Sequence, residues 1–232
     1  MIKSRIAFAG ALVAVAGIAS AGEFSATPTI ASDYDWRGFS QTNPDLDGDF
    51  GSGFAYQLAL NYGFDNGLYV GTWGSNVDFG GGKPDYEVDF YGGYAGGDSE
   101  SGIGYDVGIN FYTYPGAAHS SFAEGYAGIS HGVFSGKLWY TTDYAGNSGN
   151  ALYTEANVSY PLSTVSLDFH VGYSTGGGVK AVFGDNYLDY SVGVGYDIND
   201  FSLGLKFVST DVSGYNDDKI VLSVSTTLPW GG

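Results

Sequence analysis

The sequence predicts an all-β protein: a single transmembrane, antiparallel, up-and-down β-barrel of about 12 strands after a cleaved secretory signal peptide. Three observations predict it. The N-terminus has the build of a leader, polar and apolar residues alternate with a period of two along the rest of the chain, and short connections alternate with long ones. Val165–Ser174 shows the alternation most plainly. Val165, Leu167, Phe169, Val171 and Tyr173 fall on one face of an extended strand, and Ser166, Asp168, His170, Gly172 and Ser174 on the other. Such a strand separates an apolar from a polar medium, which in a membrane barrel are lipid and lumen.

The leader is carried by Lys3 and Arg5, the apolar run Ile6–Ile18 and the small-x-small pattern of Ala19-Ser20-Ala21. The run is shorter than the roughly 20 apolar residues of a membrane-crossing helix, and no later segment supplies one. The expected division is a signal peptide over residues 1–21 and an outer-membrane barrel over residues 22–232, located in the cell outer membrane.

The first strands are expected at Thr29–Ser40, then, after the polar Gln41–Asp49, at Phe50–Tyr62. Asp65-Asn66-Gly67 turns the chain into Leu68–Phe79, because Asn and Gly both tolerate positive φ. Gly80–Pro84 leads to Asp85–Ala95, where Tyr86, Val88, Phe90 and Tyr94 oppose Glu87, Asp89 and Tyr91. Gly96–Gly102 precedes Ile103–Tyr114, with Asp106, Asn110 and Tyr112 on its polar side. After Pro115–Ser121, Phe122–Phe134 and Lys137–Tyr144 read as a hairpin over Ser135-Gly136, although both faces of Phe122–Phe134 mix polar and apolar residues. Ala145–Asn150 leads to Ala151–Tyr160, and Pro161–Thr164 to Val165–Ser174. The longest loop, Thr175–Asn186, is followed by Tyr187–Ile198, Asn199-Asp200, Phe201–Thr210, Asp211–Asp218 and Lys219–Trp230. Most of these segments run about 10 to 13 residues, against roughly 5 or 6 in soluble sheets, which suits a tilted bilayer span. Short turns on one side and longer loops on the other match a barrel with both termini in the periplasm.

Composition narrows the function. Aromatics make up 17% of the chain, there are 39 glycines, and cysteine is absent, so stability rests on packing, strand pairing and the membrane rather than disulfides. The net charge is −17, and loss of Lys3 and Arg5 leaves 6 basic against 25 acidic residues. Nucleic acid is therefore excluded as a partner, since binding phosphates needs Lys and Arg.

The predicted lumen face carries Asp33, Asp35, Glu87, Asp89, Asp106, Glu155, Asp168 and Asp189, with Arg37, Lys137 and Lys206 as its cations. Carboxylates are costly in lipid, so their regular placement opposite the apolar face is evidence for the facing. Asp33, Asp35 and Arg37 share one face of the first segment, which places Arg37 between two acids in a structural network. Trp36, Trp73, Trp139 and Trp230 are candidates for interfacial girdles, and Tyr91 and Tyr112 for lumen filler.

Catalysis finds little support. His119, His131 and His170 are the histidines. His170 shares its face with Asp168 and Ser166, but such neighbours lie about 7 Å apart, and no G-x-S-x-G elbow is present. Asp45-Leu46-Asp47-Gly48-Asp49 lacks the terminal Glu of a calcium-binding EF-hand loop, which would fall on Tyr56. No cofactor or metal site is expected.

Ala31–Thr42, Gly71–Phe79, Asp89–Tyr94 and Tyr114-Pro115-Gly116 resemble, in order and spacing, the TorF-type porins of proteobacteria. That resemblance implies an outer-membrane β-barrel with a pore function. One departure is at the end, where Trp230 is followed by Gly231 and Gly232 rather than ending the chain on an aromatic residue. The expected function is passive diffusion of small cationic or neutral solutes through an acidic lumen, with Thr175–Asn186 folding inward as a constriction. The alternatives are a closed structural or adhesive barrel and a lipid-modifying enzyme. Outer-membrane lipid, small polar or cationic solutes and the barrel assembly machinery are the expected partners.

Overall fold

The computed structural model describes residues 22–42, 53–79, 84–212 and 218–229. The leader, Asp45–Asp49 and Trp230-Gly231-Gly232 lie outside the described residues.

The strands are β1 Glu23–Ala31, β2 Asp35–Trp36, β3 Phe39–Ser40, β4 Ala55–Gly63, β5 Leu68–Asn76, β6 Tyr86–Gly97 and β7 Gly104–Thr113. They continue with β8 Phe122–His131, β9 Phe134–Thr141, β10 Ala151–Leu162, β11 Val165–Thr175, β12 Tyr187–Ile198, β13 Phe201–Thr210 and β14 Lys219–Thr226. One short helix, α1 Gly177–Phe183, interrupts the β11–β12 connection. All strands except β2 and β3 form one closed antiparallel barrel of twelve strands, in which β1 pairs with β4 on one side and closes on β14 on the other. Closure leaves no sheet edge, the condition a β-structure must meet to stand in lipid.

Burial is inverted relative to a soluble protein. Phe134, Ile129 and Phe90 are more than half exposed on the outside, while Glu124, Glu87 and Asp189 are buried at 0%, 1% and 2%. The outward faces therefore form an apolar surface that only a bilayer covers. Along β11 the alternation holds throughout, with Ser166, Asp168, Gly172 and Ser174 buried and Phe169, Val171 and Tyr173 exposed.

The structure corrects three expectations. The first strand is β1 rather than Thr29–Ser40, and it runs through Pro28. Proline has no N–H to donate, and the β1–β14 ladder lapses beside it, between the Thr29–Ser225 pair and the isolated Ala26–Leu228 bridge. The β8–β9 hairpin turns at Gly132-Val133 rather than Ser135-Gly136, because Gly132 adopts the positive φ of 57° while Gly136 stays in strand β9 opposite Ile129. Trp139 is buried inside the barrel, and Trp36 and Trp73 pack against its inner aromatic clusters, so none of the three belongs to an interfacial girdle.

Inside the wall, tyrosines lie over inward-facing glycines. The Tyr91 ring crosses Gly71 on the neighbouring strand, where a Cβ would sit 2.6 Å from its hydroxyl, and that hydroxyl donates to Asn61 Oδ1 at 2.6 Å. Gly71→Ala should therefore displace Tyr91 and cost about 1–3 kcal/mol in urea unfolding of the refolded barrel. Gly125→Ala, whose Cβ would meet only the Gly108 carbonyl at 4.0 Å, should leave the midpoint within roughly 0.5 kcal/mol of wild type.

Candidate functional site: the lumen and its inner hairpin

Where β1 ends, the chain leaves the wall and folds into the lumen as the β2–β3 hairpin, pairing Asp35 with Ser40 and Trp36 with Phe39. Its two-residue turn, Arg37-Gly38, has φ of 50° and 90°, the handedness of a type I′ turn. Gly38 meets both demands of its position. It takes a positive φ, and a Cβ there would lie 2.9 Å from Asp189 Cβ on β12. Arg37 takes an equally unusual backbone conformation with a full side chain, which costs on the order of 1 kcal/mol or more.

That side chain is held on every side. The Arg37 guanidinium donates two bonds to Glu124 on β8, to Oε1 at 3.1 Å and Oε2 at 2.5 Å, and Glu124 Oε2 also accepts from the Tyr112 hydroxyl at 2.9 Å. Its face lies 4.2 Å from the Tyr153 ring, 4.6 Å from Trp36 and 5.9 Å from Trp139. Asp35 pairs with Lys206 on β13 at 2.9 Å and Lys219 on β14 at 3.1 Å, while Lys219 also donates to the Gly38 carbonyl at 2.8 Å. The Tyr34 hydroxyl donates to Glu87 on β6 at 3.1 Å. The hairpin is thus fastened to four strands around the barrel. Burial opposes ionisation of Asp35, but Lys206 and Lys219 outweigh it and lower its pKa to about 2.

Toward the long loops the lumen is filled by rings. Phe39, Tyr112, Tyr114, Phe122, Tyr144 and Tyr187 form one buried cluster, which α1 joins through Val179 and through Phe183, stacked on Phe39 at 4.3 Å. Thr175–Asn186 does contribute inward, but only against a hairpin that the sequence pattern had placed in the wall. Toward the short turns lies a cavity of about 480 Å³. Its lining runs from Arg37 and Tyr112 past Glu155, His170 and Asp168 to Ser99 beside a short turn.

The predicted lumen residues do gather inside the barrel, with one regrouping. Arg37 is not flanked by Asp33 and Asp35 on a strand face. It pairs with Glu124, while Asp35 goes to the two lysines and Asp33 accepts from Ser40 and Thr42 beside Lys219. Lys137 pairs with Asp106 at 3.0 Å. Glu87 and Asp89 sit against Tyr34 and Asn110, and Glu155 and Asp189 bracket His170, whose Nε2 lies 2.8 Å from Asp189 Oδ1. Among the described residues, no Lys or Arg ion pair reaches Glu87, Asp89, Glu155, Asp168 or Asp189. Sequence reasoning missed Glu124 and Lys219. The signal for Glu124 was its spacing from Phe122 and Tyr126, which reads as inward only once those rings are known to face the lumen. Ser166 donates to Asp168 Oδ2 at 2.8 Å, while His170 is engaged by Asn157, Tyr153 and Asp189, so no Ser-His-Asp relay is assembled.

A model of the bacterial family described as "Bacterial protein of unknown function (Gcw_chp)" matches residues 15–224. No curated protein matches the sequence. Among solved structures, a KdgM porin is similar at 11% identity and a TM-score of 0.55, over 88% of this chain and 97% of that one. A chain solved in a study of in-meso crystallization of membrane proteins is similar at 10% identity and a TM-score of 0.50, over 88% and 83%. OccK9 (OpdG) of Pseudomonas aeruginosa aligns at 16% identity and a TM-score of 0.43, over 79% and 56%. At these identities the likeness is one of fold.

Two outcomes follow from the ion pairs. Glu124→Gln leaves Arg37 buried without a counter-charge and should cost on the order of 3 kcal/mol in urea unfolding. The Asp35 carboxylate, depressed in the folded state, contributes its stability fully above its ordinary value of 3.8 and loses it as the pH falls toward 2. The gap between the unfolding midpoints of wild type and Asp35→Asn should be level above about pH 4 and shrink between pH 4 and 2.

Proposed function

This chain belongs to the Gcw_chp family of bacterial proteins of unknown function, and we propose that it is an outer-membrane channel for passive diffusion of small cationic or neutral polar solutes. The observation that carries the reading is the lumen cavity of about 480 Å³, walled by carboxylates in excess of their cations, inside a closed barrel with an apolar exterior. The porin-like fold and the TorF-type resemblance support it. With both termini at the short-turn end, the long loops face outward and the cavity faces the periplasm. The leader accounts for export and the apolar wall for the lipid partner. Asp168 and Asp189, on the cavity wall, set a cation preference, and the hairpin with its ring cluster limits the flow.

The ring cluster favours a second reading, a closed structural barrel. Single-channel recording of the refolded chain in a planar bilayer under a KCl gradient separates the two. A channel gives discrete steps with a cation-selective reversal potential. That potential should move toward zero in Asp168→Asn/Asp189→Asn, and the steps should grow when a Gly-Ser linker replaces Tyr34–Gln41. A folded barrel that stays silent both with and without the hairpin is a closed one.

A further inference from the structure

The Arg37 guanidinium sits in a cage built by the barrel wall, with Trp36 of its own hairpin closing one side at 4.6 Å. Glu124 presents both oxygens to the Arg37 fork, and Tyr153 and Trp139 present ring faces. Each of these three is also held by a group on the wall. Tyr112 donates to Glu124 Oε2, the Trp139 indole donates to Glu155 Oε1 at 2.9 Å, and the Tyr153 hydroxyl donates to Asp189 Oδ1 at 3.1 Å. The cage is a property of β7 to β12, and Arg37 is a visitor from the β1–β4 connection. It visits with a backbone at φ 50°, where glycine would sit without strain.

The cage also borders open volume. Arg37, Tyr112, Trp139 and Tyr153 line the cavity, and below them Glu155 Oε2 and Asp189 Oδ2 are buried with no hydrogen-bond partner. Buried acceptors left open beside a cavity call for a donor to occupy it. A cation rising from the short-turn end meets these oxygens and then the cage.

We propose that the Glu124–Trp139–Tyr153 cage is a binding site for solutes carrying a guanidinium group on a short aliphatic chain, and that such a solute binds by displacing Arg37 and releasing the hairpin. This deepens the channel reading and rests on it for the solute's passage, though not for its binding. Because Arg37 is tethered at a high effective concentration, displacement takes solute in roughly the millimolar range. A guanidinium rather than an ammonium is specified, since only the planar fork satisfies both Glu124 oxygens while lying flat on a ring.

The test uses the full barrel refolded in detergent, so that no ion flow is needed. In Arg37→Gly, which keeps the turn and empties the cage, methylguanidine should raise the urea midpoint in a concentration-dependent way. Methylammonium should not, and Glu124→Gln added to Arg37→Gly should abolish the effect. Equal effects of the two cations, or none, overturn the site. Should Arg37→Gly not refold, wild type decides: millimolar butylguanidine, and not butylamine, should speed hydrogen exchange of the Trp36–Phe39 amides. Unchanged exchange overturns the proposal. A barrel that binds guanidinium yet never conducts would remove the channel reading and leave the site.

Discussion

The burial of Arg37 against Glu124 is the constraint on which the rest of the interior depends. Removing a guanidinium and a carboxylate from water costs several kcal/mol per ion, and that cost is recovered only with near-complete hydrogen bonding. Here two guanidinium bonds, the Tyr112 hydroxyl and ring faces on two sides supply it. The pair can form in one place only, and this fixes the depth and orientation of the hairpin tip. Once the tip is fixed, Asp35 falls between Lys206 and Lys219, Phe39 falls under Phe183, and the β11–β12 connection closes over it through α1. Filling of the long-loop end thus follows from one ion pair.

What remains open is set by side-chain size along the wall. The strand halves near the short turns present Gly104, Gly128, Ser130, Ser159, Ser191 and Gly193 to the lumen, and the cavity lies against them. The opposite halves present Tyr112, Phe122 and Tyr187, and the β9–β10 connection adds Tyr144. A barrel of this size has a bore that large side chains can fill, so these rings narrow the long-loop end while the cavity lies toward the other. Glycine serves the rings as well as the void, because Tyr153 reaches Asp189 and His170 only by crossing Gly172.

The barrel was legible in the chain because lipid imposes one rule on every outward position, and a period of two is the direct consequence. Legibility failed wherever the interior is dry. Along β8 the inward residues include Phe122 and Tyr126, while Ala123, Gly125 and Ala127 alternate with them, so polarity could not sort the faces and Glu124 went unnoticed. The tryptophans misled for the same reason, since the ring clusters inside the lumen recruit the residues expected at the headgroups. The hairpin was hidden because Asp33-Tyr34-Asp35-Trp36-Arg37 alternates like a strand. Its only local mark is Arg37-Gly38, and an arginine is an uncommon first residue for such a turn. Its true signal is non-local: a carboxylate 87 residues away on β8.

The cations of the lumen are spent on particular acids. Arg37, Lys137, Lys206 and Lys219 neutralise Glu124, Asp106, Asp35 and Asp33, and three of these four cations hold the hairpin down or brace it. The uncompensated acids of the cavity, Glu155, Asp168 and Asp189, lie on the β10–β12 wall beneath the cage. The uncompensated carboxylates therefore divide between this wall and the Glu87–Asp89 pair beside Tyr34. If the proposed cage takes a guanidinium solute, that solute competes with Arg37 for the same carboxylate, and its binding loosens the hairpin that Glu124 otherwise holds.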